Sequence, residues 1–191
     1  MSQTGQPGRY TRSTNGFIGA MLILVVAVIG TVLIAGLFRS EPEYTPSNAD
    51  YTEVVRAVQG EGVELVYPEA LPSGWLVNNV SYEPGSPPTF ALALLTEEKT
   101  YAGLQVEGED VDDLVEVYVD EGATEGDPLV LQAGESSIAT QWRTFTDEEG
   151  DTAYAAEVGR GARASTVLVY GSATPAELQA LLRSLTTAPL S

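Results

Sequence analysis

The residues that could do chemistry in this chain fall into a few patterns built from acids, glycines and aromatics. Gly159-Arg160-Gly161-Ala162-Arg163-Ala164 fits the G-x-G-x-x-A form that cradles a pyrophosphate. Such a loop must open a helix and precede, by about 20 residues, an acid that holds the ribose. A Val-rich stretch follows instead, and no Asp occurs after Asp151, so the run reads as a hairpin turn. Asp151-Thr152-Ala153 is similar to the Asp-Thr-Gly of aspartic proteases, whose paired carboxylates share a proton. Asp151 stands behind Glu148-Glu149-Gly150 in a turn rather than after an apolar strand. The acid clusters Asp147–Asp151 and Glu107–Asp113 lack the ligand spacing and closing Glu of the twelve-residue calcium loop. They read as a solvated turn and a helix start, where acids complement the helix dipole.

The chain contains no cysteine and no histidine. That excludes a disulfide framework, a thiol nucleophile, a His-based triad and the usual zinc and copper sites. A pair of carboxylates for glycoside hydrolysis forms only in three dimensions, so spacing alone says nothing about it. Trp75, Tyr101 and Trp142 could line an aromatic ligand surface, although aromatics on strands ordinarily pack into cores. No catalytic residue, cofactor or metal site is expected.

The elements that would position these residues begin after a stalk at residues 39–49. Asp50-Tyr51-Thr52-Glu53 has the form of a capping box, followed by Val54, Val55 and Val58 at helical spacing and by Gly60. Strand-like runs follow at Val63–Tyr67, Trp75–Tyr82, Thr89–Thr96 and Thr100–Val106, separated by turn chemistry. Val111, Leu114, Val115 and Tyr118 then mark an amphipathic helix over 110–120. The pattern recurs with strands at Leu129–Gln132, Ile138–Phe145, Thr152–Val158 and Ser165–Tyr170. A last helix starts on Thr174, Pro175 and Glu177 and buries Leu178, Leu181, Leu182 and Leu185. Short turns between consecutive strands favour antiparallel pairing. The expected fold class is α+β: an antiparallel-sheet domain over residues 50–191 with helices packed on it, in two related β-β-β-β-α halves.

Before this domain, Phe17 to Phe38 is a run of 22 uncharged, mostly apolar residues. As a helix it would be about 33 Å long, enough to cross a bilayer core of about 30 Å. Arg9 and Arg12 precede it, while Arg39 is followed by Glu41 and Glu43. The positive-inside bias then places residues 1–16 in the cytoplasm and the domain outside. The run is too long for a signal-peptide core, and Ala35-Gly36-Leu37-Phe38-Arg39 is a poor cleavage site. Gly16, Ala20, Ala27, Thr31 and Ala35 fall on one helical stripe of small residues, where another helix could approach closely. Charge divides at the same place: residues 1–39 carry +3, and the remainder carries 27 acids against six bases, or −21. Such a domain repels nucleic acid and anionic lipid and would attract cations or a basic protein surface.

Tyr67-Pro68-Glu69-Ala70-Leu71-Pro72-Ser73-Gly74-Trp75 resembles the proline, Leu-Pro-x-Gly-Trp opening of the actinobacterial family of anchored proteins labelled domain of unknown function (DUF) 4245. Leu95-Thr96 and Tyr101 sit where members have a Thr-Pro and a tyrosine. Gly134 and Trp142 match in placement a glycine and tryptophan further on. Tyr170-Gly171-Ser172-Ala173 before Glu177-Leu178 is similar to the family's closing strand-to-helix step. The resemblance covers most of residues 60–186 and the preceding anchor. Phe90 stands near a usual tryptophan, and no Arg-Asp-Met precedes the anchor. The resemblance implies an actinobacterial cell-envelope protein and supplies no catalytic residues.

Taken together, the sequence leads us to expect a non-enzymatic, single-pass membrane protein held in the bilayer by residues 17–38. Its acidic extracytoplasmic domain would bind a protein partner or serve as accessory subunit of a membrane complex. The alternatives are a small-ligand or cation-binding module and, further off, a carboxylate-based hydrolase.

Overall fold

In the computed structural model, residues 49–136, 138–161 and 164–190 are described, all within one compact unit spanning residues 46–191. Among the described residues no helix is long and apolar enough to cross a membrane. The apolar run 17–38 and the stripe Gly16, Ala20, Ala27, Thr31 and Ala35 lie outside them.

Helix α1 (Tyr51–Gly60) leads into a short β1 (Tyr67–Pro68), then strands β2 (Leu76–Glu83), β3 (Thr89–Leu95) and β4 (Tyr101–Glu107). Helix α2 (Val111–Tyr118) and the two-residue strands β5 (Thr124–Glu125) and β6 (Leu129–Val130) follow. The chain closes with β7 (Gln141–Thr146), β8 (Thr152–Val158), β9 (Ser165–Gly171), α3 (Pro175–Ser184) and β10 (Leu185–Thr186). The main sheet is antiparallel throughout, in the order β2-β3-β4-β9-β8-β7-β5, with β6 on β7. A separate ribbon pairs β1 with β10. The domain is therefore α+β, as the alternation of its strands predicts.

Periodicity decides which face each residue takes. In β3, Phe90, Leu92 and Leu94 point into the core while Thr89, Ala91, Ala93 and Leu95 stay half-exposed. The central strands are buried on both sides. Val167 and Val169 of β9 join the larger core, which holds α1 and α3, whereas Leu168 joins a smaller core under α2. Runs such as Thr-Val-Leu-Val at 166–169 are continuous rather than alternating for this reason.

Each helix has a definite start. Asp50 accepts from the Thr52 N–H, and Asp110 accepts from the N–H groups of Asp112 and Asp113. At α3 the reciprocal box is complete: Thr174 Oγ accepts from the Glu177 N–H, and Glu177 Oε2 accepts from the Thr174 N–H at 2.9 Å.

Two expectations need correction. Of the strand expected at Val63–Tyr67 only Tyr67 pairs, and the run Leu129–Gln132 shrinks to Leu129–Val130. Each expected four-stranded half is thus a three-stranded meander followed by a helix, β2-β3-β4-α2 and β7-β8-β9-α3, joined by the β4–β9 pair. The helices α2 and α3 cover opposite faces, so the two halves are not superimposable units.

Candidate functional site

Two concavities occupy different ends of the sheet. The larger, about 720 Å³, has a floor of Val106, Val158 and Ser165. It is lined also by Val63–Val66, by the turn Gly85–Pro88, and by Ile138, Arg160 and Thr187. Gly62, at φ +80°, turns the chain out of α1 and sends it along the groove. Leu65 and Val66 are buried at 2% and 6% exposure, yet among the described residues no hydrogen bond reaches the peptide groups of Glu64, Leu65 or Val66. Buried main chain is nearly always paired, so this bare strip is unusual. The C-terminal residues that could have paired with it are held elsewhere: Ala188 O accepts from Tyr67 Oη at 2.7 Å and from Gln59 Nε2 at 3.0 Å.

The second concavity, about 250 Å³, is bordered by Tyr101, Tyr118, Asp151 and Tyr170. Tyr101 and Tyr170 face each other across β4 and β9 with hydroxyls 3.3 Å apart and rings edge to face at 5.8 Å. Gly103 makes room for this, since a Cβ there would come within 2.5 Å of the Tyr170 ring. Tyr118 Oη donates to Glu107 Oε1 at 2.5 Å, and Gln105 Nε2 donates to both. Burial, reinforced by the Glu107 hydrogen bond and charge, pushes the Tyr118 phenol up to about 12. Burial, with help from the Tyr101 hydroxyl, raises Tyr170 as well. These phenols stay protonated at neutral pH, so they donate hydrogen bonds rather than act as bases or nucleophiles.

The raised Tyr118 value has a consequence for stability. Below pH 10 the phenol keeps its proton folded or unfolded; between pH 10 and about 12 only the folded chain keeps it. Folding stability should therefore fall as pH rises through that window. The absorbance titration of the full chain at 295 nm, minus that of Tyr118→Phe, should leave one transition centred near pH 12, moving downward in Glu107→Gln. A difference transition near pH 10 in the parent chain would contradict this.

The residues expected to form an aromatic surface do not meet. Trp142 is fully buried with Nε1 donating to Ala139 O at 3.2 Å, and Trp75 is 9% exposed in the same core. Only Tyr101 reaches the smaller concavity, because its place at the start of β4 puts it on the other face. Asp147 is engaged in its own turn, accepting from the N–H groups of Glu149 and Asp151. Among the described residues no group of three or more acids is placed to hold a metal ion. Arg143 is tied to Glu125 at 2.7 and 2.9 Å and to Asp112 at 2.9 Å, fastening α2 to β7 and β5. Its guanidinium lies over the Phe145 ring at 4.9 Å. The groove escaped sequence reading because an apolar run announces burial but not whether its peptides are paired. The Gly103-x-Gln105-x-Glu107 alternation did carry a signal for the tyrosine cluster, since those three positions share one face of β4.

The family model described as "Protein of unknown function (DUF4245)" matches residues 9–185. The chain belongs to that family. Among curated proteins there is no match. Among solved structures, the complex structure of Pseudomonas aeruginosa MucA/MucB is similar at 14% identity and a TM-score of 0.35, covering 65% of this chain. The match spans 35% of that chain's length, and the likeness is too loose to carry an argument about fold or function.

Proposed function

We propose that this DUF4245 protein is a non-enzymatic, single-pass protein of an actinobacterial cell envelope, whose acidic domain lies outside the membrane and binds a protein partner. The anchor rests on the uncharged run 17–38 and on the arginines before it. Family membership adds the matched stretch from residue 9, which takes in that run.

One observation carries the binding reading: the 720 Å³ concavity is lined mostly by apolar and small residues, and among its described lining residues only Glu64 and Arg160 carry charge. Of the carboxylates in the two acid clusters, Asp110 caps α2 and Asp147 accepts within its own turn, and the Tyr118 phenol keeps its proton at neutral pH. An enzyme site needs groups whose pKa values are matched to proton transfer near neutrality. A site of apolar and small side chains instead suits recognition.

Gentle detergent solubilisation of membranes containing the full chain, followed by affinity purification, should recover a partner at fixed stoichiometry. A chain that always runs alone after crosslinking in intact cells would sink the reading.

A further inference from the structure

The smaller concavity, at the C-terminal end of α2, brings three aromatic rings and two acids to one hollow. Tyr101, Tyr118 and Tyr170 border it, and all three are half-buried, neither sealed in a core nor free in solvent. The ring centroids of Tyr101 and Tyr118 lie 5.8 and 6.0 Å from that of Tyr170. Gly171 lets the cluster close up, since a Cβ there would stand 2.8 Å from the Tyr101 ring. Aromatic rings attract a cation through the negative face of the π system, within about 6 Å. The hollow holds about 250 Å³. That is below the about 300–1,000 Å³ of sites that enclose a whole drug-sized molecule, so it fits a head group or one side chain.

The charges at the hollow are all of one sign. Asp147 and Asp151 border it, and no Lys or Arg does. Asp147 Oδ1 accepts within its own turn, but among the described residues nothing engages its Oδ2 or the Asp151 carboxylate. Glu107 stands behind the Tyr118 hydroxyl, and Glu83 is near enough to act on the same phenol. Helix α2 ends here at Tyr118 with no basic residue in its last turn, so the negative end of its dipole is unopposed. Lys99, the base nearest Tyr101 in sequence, is exposed in the preceding turn and does not border the hollow. Exposed acids are common in this domain; these two differ in sharing a hollow with three rings. Two carboxylates supply too few oxygens for calcium, which takes about 6–8. A bulky organic ammonium gains from rings and carboxylates alike.

We propose that the tyrosine concavity binds an organic ammonium group, which sits against the Tyr101, Tyr118 and Tyr170 rings with its charge balanced by Asp147 and Asp151. This goes beyond the partner-binding reading. The chemistry is an alkylated ammonium, carried by a free amine or by a lysine side chain of a protein. The hollow and the 720 Å³ groove share no lining residue, so either reading can fail alone.

The probe is choline, titrated into the full chain in maltoside micelles and followed by NMR of ring-labelled tyrosine. The Tyr101, Tyr118 and Tyr170 signals should shift and saturate with a Kd on the order of 1 mM. The uncharged isostere of choline, with a tert-butyl group in place of the trimethylammonium, should bind about threefold weaker or worse. Sodium chloride at equal ionic strength should leave the three signals in place. Asp151→Asn removes a charge from a side chain that makes no hydrogen bond among the described residues, and Tyr101→Leu removes a ring. Each should weaken choline about threefold or more, while Tyr101→Phe keeps the affinity. Asp151→Asn alters no packed group, so it decides the matter if Tyr101→Leu fails to fold. Nα-acetyl-lysine amide in place of choline identifies the source: tighter lysine binding points to a protein side chain, tighter choline binding to a free amine. Equal affinity for choline and its uncharged isostere, shifts that never saturate, or an affinity untouched by Asp151→Asn would overturn the proposal.

Discussion

Trp142→Ala is expected to lower the unfolding free energy of the domain by about 3–5 kcal/mol, the range for deleting a large buried aromatic. Trp142 is fully buried and packs in the core that also holds Phe90, Leu104 and the α3 leucines. Alanine would leave a cavity bounded by strands on one side and helices on the other, and neither layer can close it without breaking its own hydrogen bonds. The indole also satisfies Ala139 O, so truncation strands a carbonyl in the irregular segment before β7. Domains of this size are stable by only about 5–15 kcal/mol, so a large fraction would be lost. Urea unfolding of the full chain in micelles, followed by circular dichroism, should show the midpoint falling sharply. Trp142→Phe should cost much less, as it keeps most of the volume and gives up only the indole hydrogen bond. Equal midpoints for Trp142→Ala and the parent would mean that this core does not limit stability.

Gly171→Ala is the second large effect, and its cause is backbone rather than cavity. Gly171 ends β9 at φ +128°, a conformation costing an L-residue about 1–3 kcal/mol. A Cβ there would stand 2.5 Å from the Tyr101 carbonyl oxygen, which already accepts from the Ala173 N–H at 2.9 Å. Moving that carbonyl disturbs the start of β4 and the lead into α3 together, adding about 1–3 kcal/mol of overpacking. Gly150→Ala provides the comparison: φ is +93°, but a Cβ would meet open space. The thermal midpoint should drop several degrees more for Gly171→Ala than for Gly150→Ala. Equal drops would show that the contact with Tyr101 relaxes freely.

Much of this architecture was legible from the chain alone. The strands over 76–83, 89–95, 101–107, 152–158 and 165–171 were readable to within a residue or two, because turn residues bound each one and the sheet needs their alternation. Thr174, Pro175 and Glu177 marked α3 to the residue, since capping is chemistry of near neighbours. What stayed hidden depends on contacts distant in sequence. Val63–Val66 has the composition of a strand, but pairing requires an edge at the right place, and the C-terminal tail is held away by Gln59 and Tyr67. The meeting of Tyr101 with Tyr170 needs the β4–β9 register, in which Gly103 stands opposite Tyr170. Trp75 and Trp142 looked available for a ligand surface because periodicity assigns a face without saying which face is covered.

The chain enters the domain at Ala49, whose N–H donates to Val77 O near the beginning of β2. The groove is walled by the turn that follows the other end of that strand. Eight residues of strand separate the two places, on the order of 25 Å. The end of the sheet at which Ala49 pairs is therefore the end away from the groove. A contact made at one of these two ends accordingly leaves the other untouched, about 25 Å away.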